Sequence, residues 1–216
     1  MDVPDGAVLF DMDGVLVDSE TYWHRFEDEW VFAEAIASGD PANEEITGMP
    51  YYEIYDYLDA KYGTRVTKEE FTTAYEERAG SLYGEQVELT DGVHELFDAV
   101  RADGRALAIV SSARRSWIDI VRERFCLDPL DLVLSAEEID EPGKPEPYVY
   151  EHAAAELGFD PAECVVVEDS VNGIESAVRS GAFTIAFRST HNAELDLSRA
   201  DVVVGGCEEL REVLLK

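Results

Sequence analysis

Residues 7–19 read AVLFDMDGVLVDS: a four-residue apolar run, Ala7 to Phe10, that stops at Asp11, Met12, Asp13 and Gly14. A short apolar run bounded by turn-forming residues predicts a buried strand. Comparable runs recur at ALAIV (106–110), LVL (132–134), CVVV (164–167), FTIAF (183–187) and DVVV (201–204). Between the later runs lie helical segments, Ser116 to Phe125, Pro147 to Leu157 before Gly158, and Val171 to Ser180 before Gly181. The two glycines stand where a helix C′ residue belongs. A further helix, Gly92 to Ala102, closes at Gly104 just before the second run. Continuous apolar strands alternating with helices of about ten residues predict a parallel sheet covered on both faces. The fold class is α/β, a doubly wound parallel sheet.

The stretch between the first two runs, residues 11–105, is far longer than a crossover requires. It carries its own predicted helices at Ser19–Ala37, Tyr51–Tyr62 and Lys68 to about Tyr83. The first ends at Ser38-Gly39-Asp40-Pro41 and the second at Gly63; the third opens on a capping box, Thr67 with Glu70. Thirteen of the 22 aromatic residues fall between Asp18 and Glu85, which predicts a small separate core with a minority of rings facing substrate. The expected organisation is an α/β core domain of residues 1–17 and 89–216 and an inserted helical cap domain of residues 18–88, with hinges near Val17 and Glu88.

The 216 residues include 48 Asp or Glu against 17 Lys or Arg, a formal net charge of −31. A phosphate backbone or an anionic membrane surface would repel such a chain, so neither nucleic acid nor membrane is an expected partner. Disorder requires few apolar residues, and here 46% are apolar, with ten Tyr, nine Phe and three Trp. The basic residues are mostly Arg; the lysines are Lys61, Lys68, Lys144 and Lys216. The scattered acids read as a solvated shell, either that of a halophile's cytoplasmic protein or that of an ordinary acidic mesophile enzyme. Cys126, Cys164 and Cys207 are odd in number and share no metal-ligand spacing, so reduced thiols in a reducing compartment are expected. MDVPDGAVLF has no basic n-region, so neither a signal peptide nor a membrane anchor is expected, and the expected location is the cytoplasm.

In a chain this rich in Asp, the pair Asp11 and Asp13 carries little weight alone. Its position does, at the carboxyl end of the first strand, where doubly wound sheets bind ligands. A carboxylate there is a metal ligand, a nucleophile, or a turn or helix cap. Three further features stand at the same edge: Ser111 after ALAIV, Lys144 in Gly143-Lys144-Pro145, and Glu168-Asp169 after CVVV. Singly, each has a plain structural reading, as a helix cap, a solvated loop charge and a part of the acidic shell. Together they form the set that phosphoryl chemistry needs. A phosphomonoester carries nearly two negative charges and a carboxylate nucleophile one, so their approach must be neutralised by a hard cation and an ammonium. Mg²⁺ takes oxygen ligands and keeps waters, which suits Asp11, a backbone carbonyl and Asp169. Lys144 would hold Asp11 and a phosphoryl oxygen together, and Ser111 would hydrogen-bond the remaining oxygens. Attack by Asp would give an aspartyl-phosphate, with Asp13 as acid and then base once acidic neighbours raise its pKa.

The motifs DMDGVLVDS, the strand-end serine, GKPEPYVY and VVEDSVNGI resemble the four signatures of the haloacid dehalogenase superfamily. The chain is most similar to the subgroup with a small helical cap after the first motif, which includes β-phosphoglucomutase and phosphoglycolate phosphatase. The resemblance implies strand order 3-2-1-4-5, Mg²⁺ as cofactor, and Asp11 as nucleophile with Asp13 as acid/base. It further implies phosphate contacts from Ser111, Ser112 and Lys144, and a metal set of Asp11, Asp13, Glu168 and Asp169. Superfamily dehalogenases and phosphonatases lack the second Asp, so Asp13 favours a phosphate ester. The sugar mutase has a cap histidine where this chain has Trp23, with His24 one position later, and its cap K-G-x-x-R pattern is replaced by Thr47-Gly48-Met49-Pro50-Tyr51. Arg114 and Arg115 could meet a distal anionic group or be surface charges at a helix start. The expected activity is a phosphatase acting on a small phosphorylated metabolite, with a hexose-phosphate mutase as the alternative. A receiver domain is disfavoured by length, by the place of its phosphoacceptor and by the cap. A monomer or weak homodimer is expected.

Overall fold

The structure, a computed structural model, describes residues 3–47 and 49–215. Met1 and Asp2 of the amino-terminal reading, Gly48 of the Thr47–Tyr51 stretch and Lys216 lie outside them.

Among the described residues six parallel strands form one sheet: β1 Ala7–Phe10, β2 Ala106–Ser111, β3 Leu132–Ser135, β4 Cys164–Glu168, β5 Phe183–Phe187 and β6 Val202–Val204. Their order is β3-β2-β1-β4-β5-β6, the expected arrangement with β6 added at the outer edge. Leu9 of β1 lies between Ala108 of β2 and Val166 of β4, so the first motif starts at the centre of the sheet. The chain builds outward from β1 first through β2 and β3, then through β4, β5 and β6. That reversal opens a crevice at the carboxyl ends of β1 and β4.

The strands' alternate residues part to the two faces, which is why each run is apolar throughout. Val8, Phe10, Leu107, Ile109, Val165 and Val167 share a core with helices α4 (Val93–Ala102), α5 (Arg115–Arg124) and α8 (Cys207–Leu214). Ala7, Leu9, Ala108, Val110, Cys164 and Val166 pack with α6 (Tyr148–Leu157) and Ala177 of α7 (Val171–Ser180). Gly158 and Gly181 take left-handed backbone conformations after α6 and α7, as the sequence predicts.

Between β1 and α4 the chain forms α1 (Glu20–Phe26), α2 (Tyr51–Tyr62) and α3 (Lys68–Ser81). Thr67 and Glu70 make the reciprocal capping box at the start of α3. The helices expected at Ser19–Ala37 and Lys68–Tyr83 both change winding part-way. α1 runs on as a π-helical segment over Glu27–Ala35, and α3 as one over Leu82–Gln86. Their last bonds, Ile36 N–H to Val31 O and Val87 N–H to Leu82 O, span five residues instead of four. The outgoing and returning chains lie side by side: Val17 pairs antiparallel with Leu89, and the Asp18 N–H donates to Glu88 O at 3.2 Å. Apolar contact does not stop there, because one cluster runs from Phe97 and Ile118 through Trp117 to Trp23, Tyr75 and Phe71. No helix among the described residues is long and apolar enough to cross a membrane.

Candidate active site

Asp11 follows β1, Glu168 ends β4 and Asp169 follows it, while Lys144 comes from the loop ahead of α6. All four are buried. The Lys144 ammonium is 2.6 Å from both Asp11 Oδ1 and Glu168 Oε1. An ammonium taken out of water needs such partners, and two carboxylates hold Lys144 charged, its pKa well above the ordinary value although burial pulls it down. Glu168 is spoken for on both oxygens. Tyr150 Oη donates to Oε1 at 2.8 Å, and Oε2 accepts from the Asp169 N–H, the Ser170 N–H and the Ser170 hydroxyl. Burial pushes the Glu168 carboxyl up, but Lys144 and these hydrogen bonds bring it below the usual range. A Cβ at Gly173, in the first turn of α7, would collide with the Glu168 carboxylate, so the close packing there needs glycine.

Asp11 and Asp169 titrate well above ordinary carboxyls, chiefly through burial, with acidic neighbours adding to it. One oxygen each of Asp11, Glu168 and Asp169 lie within 4.8 Å of one another. Gly14, at φ +77°, lets the loop after β1 pass against the Asp169 carboxylate, where a Cβ would clash. Asp169 Oδ2 is 2.8 Å from His191 Nε2, and Asn192 Nδ2 donates to its carbonyl at 2.9 Å. Three buried carboxylates converging in this way cost desolvation and repulsion that a hard cation offsets, so the donor set fits a divalent ion such as Mg²⁺.

Asp13, expected among the metal ligands, is not one of these three carboxylates and is hydrogen-bonded to the inserted segment. Oδ1 accepts from Ser19 Oγ and, at 2.7 Å, from Tyr83 Oη, and Trp23 Nε1 donates to the same Tyr83 oxygen at 3.0 Å. Its pKa is raised to about 6, mainly by burial and opposed by these two hydrogen bonds. The acidic neighbour Glu20 is a smaller cause, so burial and not the charged surroundings accounts for most of the rise expected from sequence.

Asp11, Asp13, Ser111, Ser112, Lys144, Glu168 and Asp169 line one cavity of about 80 Å³. The inserted segment closes it from the other side with Trp23, Glu27, Tyr51 and Tyr75 among others. Ser111 Oγ accepts the Ala113 N–H at 3.1 Å, which draws the chain after β2 into a tight turn. Arg114 lies outside the lining; its guanidinium pairs with Glu76 of α3 and, at 3.1 Å, with Glu137. Arg115 is likewise turned to Asp119 and Glu138. Trp23 lines the cavity, whereas His24 is outside the lining and pairs with the lining residue Glu20 at 3.3 Å.

A family model spans the stretch from Asp11 to Asp169. The description "Haloacid dehalogenase-like hydrolase" matches residues 8–187. The chain belongs to the haloacid dehalogenase-like hydrolase family. Among curated relatives, hexitol phosphatase B of Escherichia coli (strain K12) is 34% identical over 172 residues, 78% of this chain and 77% of the relative. Validoxylamine A 7'-phosphate phosphatase of Streptomyces hygroscopicus subsp. limoneus is 28% identical over 210 residues, 95% of each. The crystal structure of CbbY from Rhodobacter sphaeroides in complex with phosphate superposes with a TM-score of 0.78 at 23% identity, covering 94% of this chain and 95% of that one, a likeness of fold. With these relatives, this haloacid dehalogenase-like hydrolase is a phosphatase.

Four site residues of this family member were not singled out by sequence, and three of them, Tyr83, His191 and Asn192, carry no local signal. Tyr83, Tyr150, His191 and Asn192 sit in ordinary helical or loop sequence, and tertiary contact alone brings them to Asp13, Glu168 and Asp169. The periodicity of α6 did hold a hint for Tyr150, which lies on its buried face.

Proposed function

We propose that the chain is a Mg²⁺-dependent phosphomonoesterase of small phosphorylated metabolites, working through an aspartyl-phosphate on Asp11. The observation that carries this reading is Lys144, buried and held at 2.6 Å from both Asp11 and Glu168 at the floor of the cavity. Lys144 occupies one oxygen of Asp11 and leaves the other to attack phosphorus. As the new bond from carboxylate oxygen to phosphorus forms, the ester bond breaks and its electron pair leaves on the alkoxide. Asp13, protonated below about pH 6, gives its proton to that alkoxide. The resulting Asp13 carboxylate takes a proton from water as the water attacks phosphorus, which releases phosphate and restores Asp11. Ser111, Ser112 and Lys144 hold the phosphoryl oxygens. Mg²⁺, held by Asp11 and Asp169 with Glu168 beside them, would neutralise the charge that builds on those oxygens. Glu168, with both oxygens engaged, acts by fixing Lys144.

Residues 18–88 form the cap domain in this reading, with the paired chains at Val17 and Leu89 as its hinge. Water exclusion by that cap favours transfer to Asp11. A mutase needs a second phosphate grip in the cap, and among the described lining residues Lys144 is the one Lys or Arg. Hydrolysis is therefore preferred over isomerisation. Free Cys126, Cys164 and Cys207 support a cytoplasmic setting, and the charge of −31 supports a saline one. The test is phosphate release from a panel of metabolite phosphates with Mg²⁺ at molar KCl. Activity that disappears in Asp11→Asn, with the fold retained, is expected; undiminished turnover in that variant sinks the nucleophile assignment.

A further inference from the structure

Glu27, at the start of the π-helical segment after α1, lines the cavity and is only 5% exposed. Its Oε1 lies 3.5 Å from Tyr75 Oη, a long contact, and its Oε2 has no hydrogen-bond partner. Buried carboxyl oxygens are nearly always satisfied, so a lone one on a residue that lines a cavity marks the place of a donor that the protein does not supply. Aromatic rings surround the same space: Trp23 lies 5.4 Å from Tyr75 and 5.8 Å from Trp117, centroid to centroid. Trp23 is stacked on Tyr75, so the rings' faces are partly taken up by one another; a face left open attracts cations.

Charge narrows the donor further. The described lining holds six acids, Asp11, Asp13, Glu20, Glu27, Glu168 and Asp169, against Lys144. A phosphate dianion and a divalent cation cancel each other, so the excess stays negative, with Glu20 at the cap end. Burial, with Glu20 adding to it, holds the Glu27 carboxyl up at about 8, so near neutral pH it keeps its proton and ionises only beside a cation. A second phosphate or a carboxylate on the leaving group would be repelled there. A neutral hydroxyl would satisfy the hydrogen bond and leave Glu27 protonated; an ammonium would satisfy it and hold the carboxylate ionised.

We propose that the substrate's leaving group carries an ammonium, received by Glu27 and the rings of Trp23, Tyr75 and Trp117, so that the enzyme hydrolyses phosphorylated amino alcohols or amino sugars. This rests on the phosphatase reading above.

The test compares esters matched in size: 2-aminoethyl phosphate against ethyl phosphate, and glucosamine 6-phosphate against glucose 6-phosphate, with Mg²⁺ and the wild-type chain. A kcat/KM about tenfold or more higher for the amino member of at least one pair is expected, the worth of one charged contact to a buried carboxylate with cation–π support. Neutral esters turned over as well as or better than their amino partners overturn the proposal without any variant. In Glu27→Gln, which keeps the shape, the ratio falls toward one; a ratio that does not change assigns the preference elsewhere and overturns the role of Glu27. Calorimetry of Asp11→Asn with 2-aminoethyl phosphate and with ethyl phosphate separates the two readings. If no ester at all, p-nitrophenyl phosphate included, is hydrolysed by the wild type, the phosphatase reading fails, and tighter binding of the amino ester still supports the ammonium subsite while equal binding refutes it.

Discussion

The hydroxyl of Tyr83, on the turn that continues α3, lies 2.7 Å from Oδ1 of Asp13 on the loop after β1, 70 residues earlier in the chain. It ties the group read as acid and base to the end of the inserted segment. Tyr83→Phe removes one of two hydrogen bonds to the ionised form, so the Asp13 pKa should climb from about 6. With p-nitrophenyl phosphate, whose leaving group needs no proton, turnover depends on Asp13 as base and rises with pH through that pKa. The rising limb of the pH–rate profile should move to higher pH in Tyr83→Phe, with a loss of about tenfold near pH 6. A limb that stays in place breaks the link between the two residues.

Lys144→Met leaves Asp11 and Glu168 buried without their shared counter-charge. Removing one partner of a buried ion pair costs about 3–5 kcal/mol. Urea unfolding should show a loss of that order together with loss of activity. A midpoint equal to that of the wild type would mean that the carboxylates find another partner.

Metal removal should abolish turnover, and Mg²⁺ should raise the thermal midpoint by relieving repulsion among Asp11, Glu168 and Asp169. In Asp169→Asn the Mg²⁺ concentration giving half-maximal activity should rise by about tenfold or more. Titration of activity and of melting temperature against Mg²⁺ reads both effects, and an unchanged requirement counts against Asp169 as a ligand.

Burial, helped by Glu20, raises the Glu27 carboxyl from an ordinary 4.5 to about 8. Between these values the folded protein keeps a proton that the unfolded chain releases, so this group's contribution to stability falls as pH rises through that window. Glu27→Gln carries no such dependence. It should match the wild type near pH 4 and exceed it near pH 8.5, by on the order of a few kcal/mol. Denaturant unfolding at the two pH values checks the sign, and a variant less stable at the higher pH contradicts it.

Much of the candidate site's edge was legible in the sequence because strand ends are. Asp11, Ser111 and Glu168-Asp169 each close an apolar run, and a parallel sheet sends all such ends to one side. Lys144 was legible by contrast, in a chain that otherwise avoids lysine. The rest depends on distance. Tyr83 reaches Asp13 only because the chain returns beside Val17, and Glu27 is buried only because Tyr75 and Trp23 pack around it. The π-helical turns left no trace in the period of apolar residues, since five-residue bonds at a helix end alter no composition. Arg114 looked available to substrate, but Glu76, 38 residues away, and Glu137 take up its guanidinium.

Trp23 on α1 and Trp117 on α5 face each other with ring centroids 5.8 Å apart, one carried by the inserted segment and the other by the sheet's own helix layer. Two indoles at that range couple electronically, and the coupling weakens as they separate. The protein thus contains its own optical gauge of how tightly the two sides are seated. Near-ultraviolet circular dichroism could follow that seating in unlabelled material as Mg²⁺, salt or an ester is added.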